Sequence, residues 1–370
     1  MIVTTNLDLE RGKIYFNQDV TSPLEEEILK FIQGESYLET DEFVKKVMLR
    51  REIKTNNLIE GIRDDLSFID NVIESSSPKY EDKRILNLYK GYRYILENPD
   101  INKENLSNLY SILSDGLLKS SDLKAMGDYY RSEPVLIYSK KNSENFFTGV
   151  SVDELDSYMD KFFDYVNGQD DNVSKFIKSQ IMHFYFVYIH PYFDVNGRCA
   201  RTISMWYLLN NCEYPFIIFN RAISLSRREY IKNIILSRDG NVTPFLKYML
   251  ESVKDEFEKE YIINNMVVNS GYKLSKEEYE TLCYFLSLKG EVTIKDFSTI
   301  YNRFNNHTSI DIIINNKLKP LVEKGIIVLK EETNSYIGKD IKNRVLSLNP
   351  IYVDLSKENF LKINVKKFIR

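Results

Sequence analysis

The sequence predicts a mainly α chain, a helical bundle with a small β-hairpin, plus a C-terminal winged helix. Three observations predict it. Apolar residues recur at helical spacing in one segment after another. The stretch from about Val173 to Ile189 is apolar nearly all round from Ile181 onward, as in a helix at the centre of a bundle. From about Met266 the pattern becomes helix, helix, helix, strand, strand, which is a winged-helix order.

Residues 1–22 are polar, with a short strand at Lys13–Phe16. Pro23 opens a helix with acids in its first turn, Glu25 to Glu27, and apolar Leu24, Ile28 and Phe31. A second helix, about Thr40–Leu58, keeps Phe43, Val44, Val47 and Met48 at helical spacing and ends at Gly61. Taken alone, Glu60 reads as a solvated helix-end acid. A loop at Ser75–Pro78 precedes helices at Ile85–Leu96 and Lys103–Leu117. Val135–Tyr138 and Phe146–Val150 flank a polar turn, Lys140–Asn145, in a hairpin pattern. Ser151-Val152-Asp153-Glu154 reads as a capping box that opens a helix with Leu155, Met159, Phe162, Phe163 and Val166 on one side. His183, on the apolar Val173–Ile189 helix, reads as a satisfied core residue. Further helices fall at about Asn196–Leu209, Arg227–Leu236 and Pro244–Ile262, with Tyr214-Pro215-Phe216 between the first two. After a linker at Asn269-Ser270-Gly271 come Lys276–Leu288, Ile294–Tyr301 and Ile310–Lys324, the last kinked or shortened by Pro320. Strands at Ile326–Lys330 and Arg344–Leu348 close the chain.

A length of 370 residues suggests two or three domains, and 43% hydrophobic against 28% charged residues marks a globular chain. The net charge of −4 gives no overall drive toward nucleic acid or anionic lipid. Cys199, Cys212 and Cys283 lack metal spacing and suggest a reducing compartment. No apolar signal core follows Met1, and no apolar run is long enough to span a membrane. Together these point to a bacterial-type cytoplasm.

The chemistry is concentrated in His190-Pro191-Tyr192-Phe193-Asp194-Val195-Asn196-Gly197-Arg198-Cys199-Ala200-Arg201. Backbone N–H groups from Asn196 onward open a helix, and Arg198 and Arg201 share one of its faces. A helix start with a glycine and two arginines suits a polyphosphate. Asp194 is a hard oxygen ligand placed for Mg²⁺ beside those phosphates. His190 precedes the loop and can take a proton from an attacking hydroxyl. The pieces read as transfer of a nucleotide phosphate.

This stretch resembles the Fic signature, His-Pro-Phe-x-(Asp/Glu)-Gly-Asn-Gly-Arg-x-x-Arg. His190, Pro191, Asp194, Asn196, Gly197, Arg198 and Arg201 match, while Tyr192 and Val195 depart from it. A β-branched Val195 resists φ > 0, so it implies either a reshaped loop or a narrower pocket. Asn56-Asn57-Leu58-Ile59-Glu60-Gly61 resembles the family's inhibitory (Ser/Thr)-x-x-x-Glu-(Gly/Asn) helix, with Asn56 in the Ser/Thr place.

The resemblance implies an N-terminal region 1–80 with the inhibitory helix at about 40–61, a Fic catalytic core at 81–265 and a winged-helix-like domain at 266–370. It implies AMP transfer from ATP, with Mg²⁺, to Ser, Thr or Tyr hydroxyls of a target protein, the chain itself included. His190 would be the base and Asp194 the metal ligand. Asn196, Gly197, Arg198 and Arg201 would bind the phosphates, and Tyr230 would line the adenosine pocket. Glu60 would inhibit by pairing with Arg201. The hairpin would be the flap that clamps the target by strand addition. A homodimer fits the family habit.

The alternatives are AMP removal, or other nucleotidyl or phosphocholine transfer, at the same site. An alternative of another class is a winged-helix DNA-binding regulator. Residues 271–370 carry 17 Lys+Arg against 12 Asp+Glu, a net of +5, but Asp311 and Glu323 on the Ile310–Lys324 helix leave DNA binding weakly supported, and a docking or dimerisation wing is at least as well supported.

Overall fold

The computed structural model describes residues 1–32, 42–75, 82–138, 145–168, 173–212, 219–270, 274–288, 290–330 and 343–349. Two compact units divide the chain. One is Met1–Glu26, Met48–Glu60 and Leu66–Val253, and the other is Glu27–Val47, Gly61–Asp65 and Lys254–Arg370. Among the described residues, no helix is long and apolar enough to cross a membrane.

The chain opens with an antiparallel pair, β1 (Ile2–Leu9) and β2 (Gly12–Asn17). Val3, Thr5, Leu7 and Leu9 face inward at a strict period of two. The sequence reading found β2 and missed β1, because Thr and Asp break its hydrophobicity without breaking its period. The turn closes on Gly12 at φ +102°.

α1 (Gln18–Ile32) starts upstream of Pro23, not at it. Asn17 Oδ1 accepts the Asp19 N–H at 3.0 Å and begins the helix, and Pro23 costs only one later hydrogen bond. α2 (Glu42–Ile59) follows, then an unforeseen α3 (Leu66–Glu74). Buried Arg50 of α2 pairs with Asp70 and Glu74 of α3.

α4 (Lys83–Glu97) and α5 (Lys103–Ser114) are capped by the side chains of Asp82 and Asn102. After the short α6 (Ser120–Lys124) comes the hairpin β3 (Leu136–Tyr138) and β4 (Asn145–Thr148). Most of its expected turn, residues 139–144, lies outside the described residues, as does the Tyr214-Pro215-Phe216 stretch.

α7 (Leu155–Asn167) is not opened by a capping box. Ser151 makes no side-chain cap, and Val152–Glu154 form a 3-10 turn in which the Glu154 N–H donates to the Ser151 carbonyl at 3.1 Å. Ser151 therefore stands one turn too early.

α8 (Lys175–Ile189) and α9 (Asn196–Asn211) pack on each other at the centre, with α7 against α8 and with α4 and α5 against α9. Every residue of α8 from Phe176 to Ile189 is buried, as its all-round apolar sequence requires. α10 (Phe219–Leu225) and α11 (Arg227–Leu236) lead to α12 (Thr243–Ser270). Asn269 and Ser270 are helical and Gly271 lies outside the described residues, so the first two linker positions and the boundary expected at residue 265 fall within α12.

The second unit also contains α13 (Lys276–Leu286), β5 (Val292–Thr293) and α14 (Ile294–Phe304). α15 (Ile310–Ile312) passes through a π-helical turn, Ile313–Leu318, into α16 (Lys319–Glu323), and β6 (Ile327–Leu329) and β7 (Val345–Leu348) follow. The sheet order is β5-β7-β6, antiparallel throughout. Adding β5 to the expected elements gives helix, strand, helix, helix, strand, strand. Pro320 does not end the last helix. It sits in the first turn of α16, and the wide turn lies just before it.

Candidate active site

The loop from His190 to Val195 joins α8 to α9, and both of its ends are left-handed. His190 has φ 54°, ψ 59° and Val195 has φ 67°, ψ 1°. Val195 thus takes the backbone shape that a glycine would take at its place, at a cost of about 1–2 kcal/mol for an L residue. It is 5% exposed, so its methyl groups pack inward and do not line an open pocket.

Asn196 holds the loop shut. Its Oδ1 accepts the Tyr192 N–H at 3.0 Å and its Nδ2 donates to the Tyr192 carbonyl at 2.7 Å. The residue is 2% exposed, so its amide is committed to closing the loop. Tyr192 is buried and stacks on Tyr110, with ring centroids 3.6 Å apart.

At the far end of the loop, His190 Nδ1 lies 3.3 Å from the Val187 carbonyl. That contact requires a proton on Nδ1 and leaves the lone pair on Nε2. Burial pushes His190 down to about 4, the Val187 contact opposes this, and the charges of Arg131 and Arg238 add to it. The imidazole is a neutral base at pH 7.

The start of α9 has no side-chain cap, and leading N–H groups left uncapped suit an anion. A carboxylate lies against it. Glu60 Oε1 is 2.7 Å from Arg201 Nη2, and the same nitrogen donates to Asn56 Oδ1 at 2.7 Å. A Cβ on Gly197 would stand 3.1 Å from Arg201 Nη1 and 3.4 Å from Glu60 Oε1, so only glycine admits this approach at full clearance. Burial by itself would raise the Glu60 carboxyl. The charge and hydrogen bond of Arg201, with Arg198 and Arg227 behind them, outweigh that and hold it below the usual range. Glu60 is therefore not the solvated acid that its sequence position alone suggests.

Asp194 is exposed just before the helix, and its Oδ1 accepts the Val195 N–H at 2.7 Å. Among the described residues, no group of three or more His, Cys, Asp or Glu could hold a metal on its own. One outward carboxylate beside a phosphate site suits Mg²⁺, which keeps several waters and takes its remaining ligands from substrate phosphates.

Residues 100–208 match the model of the Fic/DOC family. The chain is thus similar to that family over residues 100–208. Over 126 residues it is 24% identical to a protein adenylyltransferase Fic of Nematostella vectensis, covering 34% of this chain and 28% of that protein. Over 141 residues it is 26% identical to protein adenylyltransferase fic-1 of Caenorhabditis elegans, covering 36% and 27%. The chain thus spans little more than a quarter of the length of these relatives. A solved Fic family protein from Desulfovibrio desulfuricans G20 superposes with a TM-score of 0.56 at 18% identity, over 90% of this chain and 96% of that one. A Fic domain containing signaling protein from Bacteroides thetaiotaomicron gives a TM-score of 0.50 at 18% identity, over 64% and 94%. At these identities the likeness is one of fold.

Around the signature loop, Tyr230 is packed in the core beside Arg201. Tyr230 is 5% exposed, with its hydroxyl 2.8 Å from His183 Nε2 and beside Arg201. His183 is the satisfied core histidine that its apolar helix implies, and burial pushes it down to about 3. Three features escaped the sequence reading. Arg227 donates from Nε to the Ile59 carbonyl and caps the end of α2. Arg131 donates from Nε to the His190 carbonyl at 2.9 Å. Glu52, Asn56 and Glu60 form one stripe along α2 at a spacing of four. That spacing was legible. The partners were not: Asn220 Nδ2 donates to Glu52 Oε2 at 2.5 Å, and Asn56 Nδ2 donates to Tyr92 Oη at 3.1 Å.

Proposed function

We propose that this chain transfers AMP from ATP to a Ser, Thr or Tyr hydroxyl of a target protein, and that Glu60 restrains it. The observation that carries the reading is the Glu60 carboxylate resting on Arg201 at the uncapped start of α9, one short loop from a neutral His190. A carboxylate seated there supports an anion site, and an ATP phosphate would compete for the same guanidinium.

The acceptor hydroxyl gives its proton to His190 Nε2 and attacks the α-phosphorus. The bond from that phosphorus to the bridging oxygen breaks, and pyrophosphate leaves. The N–H groups of Asn196 and Gly197 hold phosphate oxygens, Arg198 holds the β-phosphate and Arg201 the γ-phosphate once Glu60 releases it. Asp194 would hold Mg²⁺, which when bound would supply positive charge to the phosphates. Positioning and charge stabilisation dominate such chemistry. The hairpin edge receives the target segment as an added strand. Hydroxyls of the chain itself are further acceptors, a second copy is a further partner, and a bacterial-type cytoplasm is the setting. The C-terminal unit serves as a docking wing and not as a DNA reader, because Asp311 and Glu323 oppose a phosphate backbone.

A second reading is removal of AMP from a modified protein, with Glu60 placing a water. The half-exposed Glu60 carboxylate beside the phosphate site favours it. One experiment separates the two. Label from α-labelled ATP but not γ-labelled ATP, stronger in Glu60→Gly and absent in His190→Ala, supports AMP transfer. Label from the γ position, or no label in any form, overturns it. In the latter case, release of AMP from a modified protein becomes the activity to assay.

A further inference from the structure

We infer that Arg131 is a positioning residue for His190, tying the orientation of the base to the hairpin that receives the acceptor. The inference rests on the reading above in taking His190 as the base.

Arg131 is 2% exposed, and its guanidinium donates to carbonyls in three separate segments. Nε reaches the His190 carbonyl at 2.9 Å, Nη1 reaches Glu133 at 2.8 Å, and Nη2 reaches Val150. Its own backbone N–H donates to the Pro191 carbonyl at 2.9 Å. Among the described residues no carboxylate pairs with it, and burial pushes it down to about 10. A desolvated guanidinium satisfied only by carbonyls is a costly device for packing alone. What it joins is specific: the start of the signature loop and the two ends of the hairpin.

The joint has no slack. The Val150 N–H donates to the Ile189 carbonyl at 3.1 Å, so the hairpin also bonds the residue before His190. A Cβ on Gly149 would stand 2.8 Å from Arg131 Nη2, 2.9 Å from Val135 Cγ1 and 3.1 Å from His190 Cβ. His190 itself is held at φ 54°, a conformation that a non-glycine residue keeps only when its surroundings impose it. The charged groups bearing on the imidazole are Arg131 and Arg238, and Arg238 donates to the Thr148 carbonyl of β4 at 3.3 Å. Both cations bear on His190, and both grip the hairpin. A displacement of the hairpin by an incoming strand therefore reaches the base through a rigid planar fork, which a lysine cannot reproduce.

The test compares Arg131→Lys, which keeps the charge and loses the fork, with Arg131→Gln, which loses both. Each is made in the Glu60→Gly background, and transfer is followed against pH. In parallel, the imidazoles are titrated by proton NMR. The chain has only three histidines, and His190→Ala assigns the relevant signal. We expect Arg131→Lys to lower kcat by about tenfold with KM for ATP unchanged. We expect Arg131→Gln to do the same and also to shift the His190 titration and the acid limb of the profile upward. A folded Arg131→Lys with parental kcat overturns the inference, as does an unmoved His190 titration in Arg131→Gln. If either variant fails to fold, Gly149→Ala presses on the same joint with Arg131 in place. There, loss of kcat at constant KM supports the inference and parental kcat overturns it. If the Glu60→Gly parent transfers nothing, the AMP-transfer reading fails, and the NMR titration still decides the role of Arg131.

Discussion

The two ends of the loop between α8 and α9 are held by different means. At the His190 end the partners are backbone carbonyls, joined by a buried Arg131. At the Arg201 end the partner is a carboxylate side chain, half-exposed, that any stronger anion can replace. On the proposed function, the first arrangement fixes a proton acceptor in place and the second blocks a phosphate site reversibly. The difference teaches that permanence and exchange within one short loop follow from the chemistry of the partner and not from depth of burial, since both arginines are buried.

Breaking the fixed end should have the largest effect. His190→Ala removes the base without touching the phosphate end, and transfer should fall about 10²–10⁴-fold, while ATP affinity by calorimetry stays near parental. Equal losses of transfer and binding would mean that the two ends are not separate. Breaking the exchangeable end should act in the opposite direction. Glu60→Gln keeps the shape and removes the charge, so ATP affinity should rise about tenfold, a figure reduced because the carboxylate is partly screened by water. Unchanged affinity would mean that Glu60 is a bystander.

What was legible in the sequence divides along the same line. The signature residues His190, Asp194, Asn196, Gly197, Arg198 and Arg201 lie within twelve positions, and side-chain types at fixed spacing are what a sequence displays. Glu60 was legible through its own short motif, although its isolated chemistry pointed to solvent. The helices of the core followed from their period, and α11 falls where Arg227 and the apolar pattern put it. Arg131 was not legible. Its partners are main-chain carbonyls, which carry no residue identity, and His190 is 59 positions away. Arg227 capping Ile59 is the same case over 168 positions. Asn196 was found but its contacts with Tyr192 were not, because an amide that closes a loop and an amide that binds phosphate look alike in sequence. Ser151 failed in the reverse way: its capping box had the right letters, and the helix began one turn later.

The stripe on α2 sharpens the comparison with a pH dependence. Burial pushes the Glu52 carboxyl up to about 7, against the Asn220 hydrogen bond and the charges of Arg51, Arg221 and Arg201. A carboxyl raised above its ordinary value of 4.5 holds its proton more tightly when packed than when unfolded. Its stabilising contribution is therefore fullest below that ordinary value and is lost as pH rises toward 7. Denaturant unfolding of the parent should show stability falling by on the order of 2 kcal/mol between about pH 5.5 and about pH 8.5, relative to Glu52→Gln, which cannot ionise. Parallel pH profiles for the two would show that Glu52 does not titrate in this range.

The smallest effect concerns Val195, which stands where the signature has glycine. Its φ of 67° sets two costs against each other. Glycine would relieve a left-handed strain of about 1–2 kcal/mol but would give up the burial of a valine side chain, worth about 1.5 kcal/mol or more. Val195→Gly should therefore lie within about 1 kcal/mol of the parent in urea unfolding. Val195→Ala gives up most of that burial and keeps the strain, so it should be the less stable of the two by about 1 kcal/mol, the reverse of the usual order of alanine and glycine. An alanine variant more stable than the glycine variant would mean that the loop is not left-handed at this position. ATP affinity in Val195→Gly should stay within about twofold of the parent, about 0.4 kcal/mol, because the valine methyl groups pack inward and the backbone shape is already the one a glycine supplies. A larger change would mean that the loop in this chain differs in shape from its glycine-bearing form, and the phosphate end would then have to be redrawn from Arg198 and Arg201 alone.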